Sequence, residues 1–217
     1  MRDARSSGGT AGPEIVAAGI DGAAGVDRAL HALAVMGTAT PPQYVQATGR
    51  PAAELDACVD RGLAMCRPPS GRYGLTPAGR ERHARWLPAA TASLRGLLPV
   101  VLDAFRLVNR DVKECCTRWQ LRDGVPNPHD DAGYDSRIIE ELAPLAVRCA
   151  QLLAPLAVVE ERFARYPARL DGALARARAG EARAVTGVLC GSFHEVWMEL
   201  HRDLLLSGGA ERCAADE

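Results

Sequence analysis

The chain has 217 residues, 47% of them hydrophobic, 5% aromatic and 24% charged, with a formal net charge of −1. That length holds one large domain or two small ones, and an apolar stock dominated by Ala, Leu and Val favours helices. No apolar run reaches the roughly 20 residues of a membrane span, no signal-peptide segment opens the chain, and seven cysteines without a C-x-x-C pair argue against a disulfide framework or zinc ribbon and for a reducing cytoplasm.

Residues 1–25 are rich in Gly, Ala and Ser and read as a flexible arm. Over 26–36 the apolar residues Val26, Leu30, Leu33 and Ala34 recur at helical spacing, and Gly37 ends that helix. Thr38-Ala39-Thr40-Pro41-Pro42 is a cap-and-start signal for a second helix over 42–48, with Tyr44 and Val45 turned inward. Gly49-Arg50-Pro51 is a turn, and a third helix over 51–63 places Leu55, Val59 and Leu63 on one face. Ala64-Met65-Cys66 and Tyr73-Gly74-Leu75 read as the two strands of a hairpin, joined by Arg67-Pro68-Pro69-Ser70-Gly71-Arg72. Thr76 is a good N-cap and Pro77 suits the first helical position, so a helix over 77–86 follows, closed by Leu87-Pro88.

Short helices followed by an arginine-flanked hairpin that runs through Leu75-Thr76-Pro77-Ala78-Gly79 into a helix resemble bacterial winged helix-turn-helix transcriptional regulators, most of all the MarR type. There the wing commonly ends in Leu-Thr-x-x-Gly. The resemblance covers 26–88 and implies a winged helix that binds double-stranded DNA, with the third helix in the major groove. Arg50 would then meet a base or phosphate, Ala52 and Ala53 are small enough to approach thymine methyls, and Arg67, Arg72 and Arg80 would hold phosphates or the minor groove. From 26 to 90 there are eight arginines against five acids, a balance of +3; from 91 onward there are sixteen basic residues against nineteen acidic, a balance of −3. The chain departs from the MarR pattern in its Gly-rich leading arm and in having more than 120 residues after the wing.

Those residues read as helical: a long helix over 92–122 with Pro99 as a kink point, a polar loop over 123–133, and a helix capped by Asp135 or Ser136 and reaching 166 past Pro144 and Pro155. A shorter helix over 167–179 and a final one over 181–206 follow, stopped by Ser207-Gly208-Gly209. The fold class is therefore mainly α: a winged helix followed by a helical bundle over 89–209, which would make a homodimer, and a flexible tail over 210–217.

Two polar-aromatic clusters stand out in the bundle, and their wording resembles uncharacterised actinobacterial regulators of the same two-part layout. They are Cys115-Cys116-Thr117-Arg118-Trp119-Gln120-Leu121-Arg122 and Ser192-Phe193-His194-Glu195-Val196-Trp197-Met198-Glu199-Leu200-His201. If they pack together, Trp119, Phe193 and Trp197 give apolar walls, and Arg122, Tyr134, His194 and His201 orient an anionic or aromatic small-molecule effector. The same residues equally suit a bundle core whose histidines bond carboxylates such as Asp203 or Asp123. A metal site has little support, because His194 and His201 stand two turns, about 10.5 Å, apart, and no cofactor is implied. Cys115 and Cys116 are adjacent on a helix, point about 100° apart and read as buried thiols. No phosphate loop, nucleophile elbow or H-E-x-x-H helix is present. The sequence thus reads as a non-enzymatic cytoplasmic DNA-binding regulator, with a protein-interaction scaffold or, more remotely, a metal-dependent helical enzyme as alternatives.

Overall fold

The computed structural model describes residues 22–209. Of the arm expected over 1–25, residues 22–25 form the first turn of a helix, and the rest lies outside the described residues, as does the tail over 210–217.

The fold is mainly helical. Helix α1 (Gly22–Met36) buries Val26, Ala29, Leu30 and Leu33 and stops at Gly37, whose φ of 74° suits a residue without a Cβ. A short strand β1 (Thr38–Ala39) follows. The sequence reading missed it, because two residues carry no periodicity. Helix α2 (Pro41–Thr48) opens with a reciprocal capping box between Thr40 and Gln43. Helix α3 (Ala53–Asp60) is shorter than expected at both ends. Strands β2 (Ala64–Arg67) and β3 (Arg72–Leu75) form the expected hairpin, and β1 joins β3 to give a three-stranded antiparallel sheet in the order β1-β3-β2.

Thr76 caps α4 (Pro77–Ala90) by accepting the Gly79 amide. Gly79 has a steric purpose: a Cβ there would lie 1.9 Å from the Leu63 carbonyl oxygen at the end of the α3 segment. Pro88 does not end the helix, as the sequence suggested; it falls in the last turn, where few backbone bonds remain to be lost.

After a 3₁₀ turn (Ala92–Leu94) comes α5 (Leu98–Gln120), with Pro99 in its first turn rather than at a kink. The expected polar loop contains a hairpin, β4 (Leu121–Arg122) and β5 (Val125–Pro126), turned by Asp123 and Gly124 at φ 53° and 80°. Two consecutive positive φ values are what a two-residue primed turn requires, and Asp-Gly supplies them.

Helix α6 (Ala132–Val159) is capped by Asp131, not by Asp135 or Ser136. It ends at a 3₁₀ turn (Glu161–Ala164) before α7 (Arg165–Arg178), so the helix expected to reach residue 166 is three elements: α6, the 3₁₀ turn and the start of α7. By length and composition α6 could cross a membrane, contrary to the expectation that no stretch would qualify. It packs with α5 and α7 and buries Ile138, Leu142, Cys149, Leu153 and Leu156.

The final expected helix is also broken, into α8 (Arg183–Thr186) and α9 (Phe193–Ser207). Between them the Glu195 carboxylate accepts the backbone amides of Leu189, Cys190, Gly191 and Ser192, while Ser192 caps α9.

Two separate apolar clusters result. The smaller lies among α1, α2, α3 and β2 around Leu30, Leu33, Tyr44 and Leu55; the larger holds α5 to α9 together around Phe105, Leu142, Phe163, Leu170 and Trp197.

Candidate functional site

The candidate DNA-contacting residues divide into two groups. Arg67, at the end of β2, and Arg80, in the first turn of α4, are exposed, although one Arg80 nitrogen donates to the Leu75 carbonyl. Ala53 is exposed and Ala52 half-buried at the start of α3. Arg50 and Arg72, by contrast, are built into the frame. The Arg50 Nε donates to Glu54 at 2.7 Å, and its terminal nitrogen meets the other Glu54 oxygen. Glu54 is a buried carboxylate that also accepts the Tyr44 hydroxyl, so Arg50 neutralises a charge that would otherwise be stranded. Arg72 donates to the Thr38 hydroxyl at 2.9 Å, to Gln43 Oε1 at 2.9 Å and to the Thr38 carbonyl at 2.6 Å, tying β3 to β1 and to the α2 cap. The outward face of α3 carries Ala53, Asp56 and Asp60, and Asp56 accepts the Tyr73 hydroxyl.

The seven expected effector residues do not gather into one pocket. Trp119, Arg122 and Tyr134 lie together at one end of the bundle. Trp119 is buried against the His129 ring, Arg122 stacks 4.7 Å from the Tyr134 ring centroid and pairs with Asp131, and the Tyr134 hydroxyl donates to the Arg118 carbonyl. Asn127 and His129 both bond Asp135, which fixes the loop beneath Trp119.

Phe193, Trp197 and His201 lie elsewhere, around Phe105. Trp197 stacks on Phe105 and on Phe193 and donates its Nε1–H to Asn109 at 2.8 Å, and the His201 ring lies 5.3 Å from that of Phe105. His194 is half-buried, and burial lowers its pKa. Phe105 and Trp119 are fourteen residues apart on α5, about 21 Å along the axis, which keeps the clusters separate. Neither Asp203 nor Asp123 forms the carboxylate pairing considered for His194 and His201; Asp203 meets a different histidine. Among the described residues no group of three or more His, Cys, Asp or Glu side chains could hold a metal ion.

A cavity of about 680 Å³ lies where α1, the α2–α3 turn and α4 face the end of α6, α7 and α9. None of the seven expected effector residues lines it. Its floor is a buried polar chain. His31 Nδ1 lies 3.0 Å from His83 Nε2, and His31 Nε2 lies 3.0 Å from Asp203 Oδ1. Asp203 also accepts from Arg162 Nε, the Tyr166 hydroxyl and the Ser207 hydroxyl. At the contact between the two rings one facing nitrogen donates and the other accepts, so one proton serves both.

Charge and burial act together on this chain. Burial raises the Asp203 pKa, but His31 and Arg162 more than offset it and hold the carboxyl well below the usual range. His83 is pushed down to about 4, first by burial and then by the facing His31. Burial and Asp203 push the Tyr166 phenol well above its ordinary value. At the rim, Glu199 pairs with Arg169 at 2.6 Å; burial raises its pKa, and Arg169 partly offsets this.

Sequence reading missed this site. His31 lies 172 positions from Asp203, and nothing local joins them. The available signal was an acid and a serine, Asp203 and Ser207, at the spacing of the apolar face that carries Leu200 and Leu204. Comparison with protein-family models, with curated proteins and with solved structures finds no match to this chain.

Proposed function

We propose that residues 26–88 form a winged helix that binds double-stranded DNA, and that the protein is a transcriptional regulator whose C-terminal helices supply the dimer contact and the sensor. The observation that carries this reading is the element order helix–strand–helix–helix–strand–strand, with the sheet ordered β1-β3-β2 and the 66–70 tip of the hairpin exposed. Arg67 and Arg80 are the exposed cations of this surface to test; Arg50 and Arg72 support the reading only indirectly, by holding α3 and the hairpin in place. The dimer belongs to the same proposal, with Leu107 of α5 and Val147 and Val158 of α6 as its exposed apolar side chains.

The test is fluorescence anisotropy with chromosomal duplex fragments over a salt series. Arg67→Ala and Arg80→Ala should each weaken binding and reduce the salt slope by about one. Binding and slope that stay at wild-type values in both variants would remove this surface from DNA.

One observation favours a second reading. The outward face of α3 carries Asp56 and Asp60 and no basic side chain within the helix, which repels phosphates and suits a basic protein partner. In that case no duplex binds at low salt, and Asp60→Asn leaves DNA titrations flat while weakening the protein complex.

A further inference from the structure

The cavity between the N-terminal and C-terminal helices is lined by five arginines, Arg28, Arg50, Arg162, Arg165 and Arg169, and four carboxylates, Glu160, Glu161, Glu199 and Asp203. Their pairing is uneven. Arg162 is held by Asp203 and Glu160, Arg169 by Glu199, and Arg50 by Glu54, which lies outside the lining. Asp203 and Glu199 are thus already matched to cations. Among the described residues Arg165 pairs only with Glu161, at 3.8 Å, a carboxylate with 89% of its side chain exposed. Such a pair in water contributes little. Arg28 has no ion pair or side-chain hydrogen bond among the described residues. The uncommitted charge in the cavity is therefore positive, on Arg28 of one wall and Arg165 of the other.

The remaining surface is apolar and aromatic. Trp86 and Tyr166 line the cavity, with Val35, Met36 and Val159. At about 680 Å³ the space falls within the range of roughly 300–1,000 Å³ that small-molecule sites occupy. A cleft of this size with two uncommitted guanidinium groups offers their planar donors to an anion.

We propose that this cavity binds a small organic anion with an aryl body, its carboxylate or phosphate held by Arg28 and Arg165 and its ring packed against Trp86 and Tyr166. The site is distinct from the Trp119 and Trp197 clusters. Bound there, the ligand lies against Thr48, Gly49 and Arg50, the turn that leads into α3. The Arg165 guanidinium already occupies the space beside Gly49, where an added Cβ would lie 2.3 Å from it. An anion that draws Arg165 inward therefore acts directly on that turn. Only this last consequence rests on the DNA-binding reading; occupancy of the cavity does not.

Calorimetry with the full chain and three probes tests the proposal: naphthoate, naphthyl phosphate and the neutral naphthamide. At least one of the two anions is expected to bind and to change the fluorescence of Trp86, the one tryptophan of three that lines the cavity. The better of them identifies the head group. Arg28→Gln and Arg165→Gln should each weaken it about tenfold, the loss expected for one charged hydrogen-bonding partner. Arg110→Gln, an exposed arginine on α5 away from the cavity, should leave it unchanged. Naphthamide binding as tightly as the anions, wild-type affinity in both arginine variants, or no binding by either anion overturns the proposal. The titrations contain no DNA, so a failure here leaves the DNA reading intact, and a failure to bind duplexes leaves this one intact.

Discussion

The His83–His31–Asp203 chain makes a quantitative prediction about pH. His83 is buried, at 6% exposure, and its ring faces a second histidine. The folded pKa of about 4 lies below the ordinary value of 6.5. The unfolded chain therefore takes up the His83 proton first as pH falls. Its stabilising contribution is complete above about pH 6.5, declines through the window down to about pH 4 and is absent below it. One pKa unit corresponds to about 1.4 kcal/mol, so moving from about pH 7 to about pH 4.5 removes roughly 2–3 kcal/mol.

Other groups titrate nearby. Burial lowers the pKa of His194 and so adds a loss of the same sign, whereas the raised pKa of Glu199 acts in the opposite sense. Asp203, held low, contributes a loss only below the ordinary carboxylate range. The comparison that isolates His83 is therefore a difference between proteins. His83→Gln keeps a donor within reach of His31 but has nothing to titrate. Urea unfolding followed by circular dichroism, at the two pH values and on both proteins, should show the variant losing about 2 kcal/mol less than the wild type. Equal losses in the two proteins would refute the assignment of a neutral, acid-resistant His83.

Three further predictions follow from packing and burial. Gly79→Ala drives a Cβ into the Leu63 carbonyl and should cost at least about 2 kcal/mol by thermal unfolding, whereas Gly96→Ala, with open space around it, should stay within about 0.5 kcal/mol of wild type. Trp197→Phe leaves Asn109 Oδ1 buried without its 2.8 Å donor and should cost about 2 kcal/mol, part of which Asn109→Leu restores in the double variant; equal stability of the single and double variants would rule out the unpaired amide as the cause. Brief alkylation followed by peptide mass mapping should label exposed Cys66 and half-buried Cys190 well before Cys116 and Cys149, whose thiols burial pushes up to about 12; early labelling of Cys116 or Cys149 would show that the bundle opens there.

The sequence was legible where local chemistry decides the structure. Thr76-Pro77 started α4 as the cap rules require, and Gly79 of the Leu-Thr-x-x-Gly run proved to be fixed by contact with Leu63. Two misreadings had local signals that were passed over. Asp123-Gly124 is a hairpin-turn dipeptide, and Ser192-Phe193-His194-Glu195 is a capping-box sequence that marks the start of α9 inside what reads as one long helix. The cavity had no such signal. Its charged residues come from α1, the α2–α3 turn, residues 160–162 after α6, α7 and α9. Whether Arg162 or Arg169 is spent or free depends on partners far away in sequence, Asp203 and Glu199, whereas Arg50 pairs locally with Glu54 four residues on. The sequence sets Trp119 and Trp197 in polar-aromatic clusters, yet such a setting does not separate a core ring from a binding ring. Trp197 is fully enclosed by Phe105, Phe193 and Asn109, whereas Trp86, which the sequence reading passed over, faces open space.

The polar floor of the cavity also explains why the two apolar clusters keep a fixed relation. Asp203 belongs to α9, but one of the groups that hold it, His31, belongs to α1. Swinging α1 away would leave the carboxylate with Arg162, Tyr166 and Ser207 and without His31, and losing a hydrogen bond to a buried charged group costs about 1.5–3 kcal/mol. Hydrophobic contact alone tolerates sliding, because it is proportional to area and has no preferred direction. A histidine ring held between a second ring on α4 and a carboxylate on α9 does not, since both bonds need their nitrogens in line. On the open side of the cavity, by contrast, Arg165 of α7 lies beside Gly49 of the α2–α3 turn with no directional bond between the two residues.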